Sequence, residues 1–149
     1  MAVTKASAAP AGTVLAFDFG TQRIGVAVGE TELGVAHPLA TVSNRAGAQR
    51  FRVIDALIAE WRPVLLLVGL PTRADGTPHE MTARARHFAR QLESRFALPV
   101  AFCDERFTTR AASSALRDAA ARARDRNAMR DSVAAQIILQ DYLDRRLAS

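Results

Sequence analysis

Three carboxylates interrupt apolar patterns in this 149-residue chain. Asp18 sits inside the run VLAFDFG, Glu105 ends PVAFCDE, and Asp131 opens the apolar stripe of DSVAAQIILQDYLDRRL. A carboxylate among apolar residues is costly to desolvate unless it is paired, hydrogen-bonded or bound to a cation. Each of the three has an ordinary alternative. Asp18 could accept hydrogen bonds from the glycine turn that follows it. Asp104 and Glu105 could be strand-end polarity before a solvated loop, and Asp131 could cap a helix N-terminus, a position that aspartate favours. Taken together, the three suggest a different chemistry. Hard oxygen ligands with no lysine nearby suit Mg2+ or Mn2+, not zinc. Ions of that kind position a water, lower its pKa and stabilise the leaving oxygen of a phosphodiester.

Such chemistry requires a fold that brings the three acids together. VLAFDFG, RIGVAVGE and GVAHPLATV are strand-like runs separated by short turns at Thr21-Gln22 and Thr31-Glu32-Leu33. Connections this short exclude parallel crossovers and predict an antiparallel meander. AGAQRFRVIDALIAEW places Phe51, Ile54, Leu57, Ile58 and Trp61 at helical spacing, with Pro63 as a stop. VLLLVGLP is continuously apolar, as a central strand buried on both faces must be, and the loop TRADGT follows it. A second helix aligns Met81, Ala85, Phe88, Leu92 and Phe96 before the fifth strand, PVAFCDE. Two helical stretches close the chain, one from about Thr108 to Arg124 and one with Asp131, Ala135, Ile138 and Tyr142 on a shared face.

This order predicts an α/β fold: a mixed five-stranded sheet, order 3-2-1-4-5, flanked by helices and with the Asp18 strand at its centre. Asp18 then stands beside the switch point where open sheets bind ligands. Strands one and five both flank strand four, so they lie about 10 Å apart. Two cations about 4 Å apart, each about 2 Å from its oxygens, would span much of that gap. The intervening strand carries Gly69 there, which leaves space.

Composition bounds the rest. A chain of this length, 49% hydrophobic, is sized for one domain with a proper core. Residues 1–12 read as a disordered, dispensable tail and residues 13–149 as the folded domain. No apolar run approaches the length of a membrane span, and the N-terminal MAVTKASAAPAGT lacks the apolar core of a secretory signal. The single cysteine, Cys103, rules out an internal disulfide, fits a reducing cytoplasm and reads as core. The net charge of +5 rests on 19 arginines and one lysine. Eleven of those arginines, against five acids, fall between Arg84 and Arg130, a local net of +6. A basic face of that kind fits a polyanion such as nucleic acid, with a solvated helix surface as the alternative. His37, His79 and His87 lack metal-ligand spacing and read as structural. Thr108 and Thr109 could cap the next helix.

VLAFDFGTQRIGVAVGE, LLLVGLPTRADGT, DERFTT and RDSVAAQIILQDYL together resemble the successive motifs of the YqgF family, pre-16S rRNA nucleases also called Holliday-junction-resolvase-like proteins. The resemblance runs from about Val14 to Leu143. It implies a ribonuclease H-like fold, a cytoplasmic location and a nuclease activity that matures the 16S rRNA 5′ end. It also implies that Asp18, Glu105 and Asp131 are the catalytic acids and hold Mg2+ or Mn2+. Two departures stand out. RDRNAMRD replaces the lysines common before the final aspartate, so Arg126 and Arg130 must make any phosphate contact there. VGLP lacks the acid that ribonuclease H-like enzymes often carry after the fourth strand, so Glu105 must substitute. Arg23 and Arg106, near the acids in sequence, complete the expected nucleic-acid contacts; Arg106 could instead hold Glu105 by a salt bridge.

Other readings remain. DFGTQRIGVAV also resembles the phosphate-binding turn of sugar-kinase, Hsp70 and actin ATPases, which close two lobes where this chain supplies one. DFG alone does not make a protein kinase, since no glycine-rich loop or HRD segment accompanies it. A four-way DNA junction is the alternative substrate. A non-catalytic RNA-binding factor for ribosome assembly is the alternative function.

Overall fold

The computed structural model describes residues 10–45, 49–70, 80–104 and 127–148. The expected helix from Thr108 to Arg124, the TRADGT loop and residues 1–9 of the expected tail lie outside these. Eight elements follow in order: β1 (Thr13–Phe19), β2 (Arg23–Glu30), β3 (Val35–Ser43), α1 (Gln49–Trp61), β4 (Leu65–Leu70), α2 (Glu80–Phe96), β5 (Val100–Asp104) and α3 (Asn127–Ala148). The sheet has the order β3-β2-β1-β4-β5, as the connection lengths dictate. The meander β1-β2-β3 is antiparallel, and β4 and β5 run parallel to β1.

Strand alternation divides the core into two layers. Leu15, Phe17 and Phe19 of β1 point to one face with Leu66, Val68 and Leu70 of β4, and there they meet Ile54 of α1 and Phe88 and Leu92 of α2. Val14, Ala16, Leu65, Leu67 and Ala101 point to the other face, where Ala135, Ile138, Leu139, Tyr142 and Leu143 of α3 cover them. The sheet side of this second layer includes the small residues Ala16, Ala27, Ala36 and Ala101, which let α3 sit close. Gly29 shows how close: a Cβ there would meet the Leu143 and Leu139 methyls at 3.0 and 3.1 Å.

Side-chain amides fix the direction of α3. Gln140 Nε2 donates to Gly34 O and Gln136 Nε2 to Ala36 O, each at 2.9 Å. Moving back along α3 therefore means moving forward along β3. Two antiparallel pairings in series make β3 parallel to β1, so α3 runs antiparallel to β1. Its first turns are directed toward the end of β1 that carries Asp18.

The described fold takes in Gly12. Its N–H donates to Thr31 Oγ1 at 2.8 Å, and its carbonyl accepts from Thr31 N at 3.0 Å. These bonds tie the chain just before β1 to the β2–β3 turn.

Candidate active site

Asp18 is the penultimate residue of β1 and pairs with Gly25 of β2. The ladder to β4 ends one residue earlier, at Phe17 and Val68. Asp18 thus stands where the strands begin to part, and it is half-buried. That is less enclosed than its place in an apolar run suggests, and it leaves the carboxylate within reach of water. Its alternation is that of Val14 and Ala16, so it shares their face, the one covered by α3.

β4 and β5, parallel to β1, run toward the same end of the sheet. Gly69, level with Asp18 by register, contributes no side chain, and Cys103 lies beyond it on β5. β5 ends at Asp104 opposite Leu70, and Glu105 is the next residue in sequence, outside the described residues. Arg106 and Arg126 lie outside them too. Asp131 and Arg130 are placed by the backbone of α3, which begins at Asn127. A helix that starts four residues earlier removes the capping alternative for Asp131, because a cap must precede the first turn. Asp131 is instead one turn ahead of Ala135 and two ahead of Ile138, both buried against the sheet. Asp18 is the member of the acidic set whose side chain is described. Among the described residues no three His, Cys, Asp or Glu side chains converge.

The turn after Asp18 is held from several sides. Gly20 N donates to Arg23 O at 3.0 Å, and a Cβ on Gly20 would come within 2.6 Å of that same carbonyl oxygen, so only glycine fits. Asn44 Nδ2 donates to Gly20 O at 2.7 Å, while Asn44 N donates to Gln22 O at 2.8 Å. Arg50 in turn donates to Asn44 Oδ1 at 2.5 Å and to Gln91 Oε1 at 2.9 Å. Arg23, the first residue of β2, is half-buried at the edge of this turn. The bracket of Asn44 and Arg50 had no sequence signal, since an arginine in an amphipathic helix reads as surface.

A second unanticipated group lies on the α3 face. Asp141 is fully buried, 2.9 Å from Arg145 Nε, and accepts from the Cys103 thiol at a sulfur–oxygen distance of 3.8 Å. An aspartate inside IILQDYL was the available signal. Cys103 itself is half-buried, packed against the edge of the second core layer. Beside Asp141, burial pushes the Tyr142 phenol above its ordinary pKa, and nearby Arg146 opposes the shift. His37 is paired within β3 opposite Val28, whereas His87 is exposed on α2.

A mixed sheet of this order, with its central acid at the parting of β1 and β4, defines a ribonuclease H-like domain. The chain matches T. thermophilus RuvC, solved in complex with Holliday junction substrate, over 91% of its own length and 96% of that chain, with a TM-score of 0.56. At 17% identity this likeness is one of fold. Residues 12–145 match the family described as "RuvX: Holliday junction resolvase", and the chain belongs to that family. It is 53% identical over 145 residues to a protein of Nitrosospira multiformis, covering 97% of this chain and 96% of the relative. It is also 53% identical over 138 residues to one of Nitrosomonas europaea, covering 93% of each. Both relatives carry the name "Putative pre-16S rRNA nuclease". The family resemblance of the four motifs is thereby borne out.

Proposed function

We propose that the chain is a metal-dependent nuclease that hydrolyses phosphodiester bonds in structured RNA, and that it processes the 5′ end of pre-16S rRNA in the cytoplasm. One observation carries this reading. Asp18 lies on the α3 face at the end of β1, the first turns of α3 are directed toward that same end, and β5 ends there one residue before Glu105 in sequence, which supports a site shared by Asp18, Glu105 and Asp131. The names of relatives that share half of its residues supply the substrate class.

The donor chemistry fits a hard cation. Asp18 is a half-buried carboxylate that water can reach, and Glu105 and Asp131 would add oxygen ligands of the same kind. When bound, Mg2+ or Mn2+ lowers the pKa of a water and stabilises a leaving oxygen. The chain's own residues position the substrate. Arg23 flanks the turn after Asp18, while Arg106, Arg126 and Arg130 are adjacent in sequence to the acids, and guanidinium forks bind phosphate oxygens in pairs. The glycine turn that follows Asp18 is clamped by Asn44 and Arg50. The catalytic domain runs from Gly12, which is tied to Thr31, to residue 149, and the residues before it form a dispensable tail. Among the described residues no helix is long and apolar enough to cross a membrane.

Cleavage of precursor 16S rRNA, with and without Mn2+, tests the proposal. Mn2+-dependent release of the 5′ leader is the expected result. RNA binding without cleavage under any divalent ion would leave an RNA-binding assembly factor. A second reading, cleavage of four-way DNA junctions, is favoured by the family description and the RuvC-like fold. A junction resolvase works as a symmetric dimer with paired sites, so preferential cleavage of a junction by a dimer would select it.

A further inference from the structure

The opposite face of the sheet carries a basic groove that begins where β1 ends. Phe19 and Thr21 bound one end of a cleft of about 440 Å3, whose walls include Asn44, Arg50, Arg84, His87 and Gln91. A second hollow shares His87 and Gln91 with the first and continues along α2 past Arg90 to Arg95. No aspartate or glutamate lines either one. From Arg84 to Arg95 the helix rises roughly 16 Å, the length of about five stacked nucleotides at 3.4 Å each.

The side chains suit a backbone, not bases. The aromatic floor is closed: Phe88 and Phe19 are buried, and Arg50 stacks 4.9 Å from the Phe51 centroid and 5.6 Å from that of Phe88. Arg95 also stands over the half-buried Phe51 ring, 5.3 Å from its centroid, so the groove presents guanidinium groups over that ring. Arg84, His87 and Arg90 are exposed along one side of α2. Arg84 is bonded to Glu80 at 2.8 Å, but an exposed i,i+4 pair is weak and yields to a phosphate. Arg50 contributes differently. Its bonds to Asn44 and Gln91 join the groove rigidly to the turn that follows Asp18.

We propose that this groove is a second RNA-backbone contact, in which Arg84, His87 and Arg90 hold the phosphates of a single-stranded segment after it has passed around the end of β1 from the Asp18 face, with Arg50 as the positioning residue. The inference rests on the nuclease reading and names where the RNA flanking the cut would lie. Contacts of this kind set register and carry no sequence preference.

The test uses the full chain and two fluorescein-labelled RNAs, a stem with a single-stranded leader and the same stem without it. Binding is followed by anisotropy against salt in EDTA. Arg84→Ala with Arg90→Ala removes two phosphate contacts, so the log–log salt slope for the leader RNA should fall by about 1.4, at 0.7 per single-strand phosphate. At 0.1 M salt this corresponds to binding weaker by on the order of 20-fold, scaled from 1 M. The loss should be smaller for the bare stem. The control pair Arg52→Ala with Arg62→Ala removes equal charge from exposed positions outside the groove. An unchanged slope in the groove pair, or equal losses in the groove and control pairs, overturns the proposal. The parent is also assayed for Mn2+-dependent cleavage. Binding without cleavage defeats the nuclease reading, and the slopes still decide the groove; no binding defeats both.

Discussion

The charge on Asp18 has opposite consequences for binding and for stability. Asp18→Asn keeps the shape at the parting of β1 and β4 but removes the charge proposed to hold a hard cation, so on that proposal Mn2+ affinity and cleavage should be lost. Among other acids, its removal also relieves like-charge repulsion, and the metal-free variant should be as stable as the parent or slightly more so. If Asp18 instead serves the backbone of its turn, asparagine replaces it only in part and the variant loses about 1–3 kcal/mol. Thermal unfolding with and without Mn2+ separates these, since a bound ion raises the parent's Tm. A second residue-scale expectation concerns Asp55. The hydrogen bonds from Arg95, at 3.1 and 2.9 Å, hold its carboxyl below the usual range, against a weaker opposing effect of burial. A depressed folded pKa means that this pair contributes stability above the ordinary carboxylate range and loses it as pH falls through the lowered value. Titration of Asp55 followed by NMR should show the lowered midpoint, and Arg95→Ala should return it to the ordinary range. Asp18 was legible in the sequence because an acid stands out in a strand of Leu, Ala and Phe. Arg50 was not, because one charge per helical turn is what any surface helix shows, whereas the aspartate inside IILQDYL was the one signal for Asp141.

Elements were legible where periodicity and breakers agreed. Arg23–Glu30 forms β2 as read, and α1 ends at Trp61 just ahead of Pro63. α3 begins one turn before Asp131, because Ala128, Met129 and Arg130 are good helix formers and Asn127 suits a helix start. An aspartate that looked like a beginning is therefore an interior residue. The turn between β1 and β2 makes the element-scale prediction. In Gly20→Ala the new methyl meets the Arg23 carbonyl at 2.6 Å, a backbone atom that cannot rotate away. The turn must open, at a cost of about 1–3 kcal/mol by analogy with overpacked sites. Asp18 lies two residues away, so Mn2+ affinity should weaken along with stability. Urea unfolding and a Mn2+ titration check both; a variant as stable as the parent would show that the turn has slack.

At the scale of the whole molecule, connection length did most of the work. Two tight turns forced the antiparallel meander, and two helical connections forced the parallel strands, which left 3-2-1-4-5 as the order that right-handed crossovers favour. The two-faced use of the basic surface was not legible, because residue order along α2 does not reveal that its arginines start from the far side of the Asp18 turn. That arrangement can be tested by additivity. Arg126 and Arg130 precede Asp131 in the chain, and they are proposed to contact phosphates near the cut; Arg84 and Arg90 face the groove across the sheet. Replacing the first pair by alanine should lower the salt slope for leader RNA by about 1.4, as for the second pair, and all four together by about 2.8. Contacts on separate phosphates add. A fourfold variant whose slope falls no further than that of either pair would mean that all four arginines reach the same phosphates, and the RNA would then not pass around the end of β1 at all.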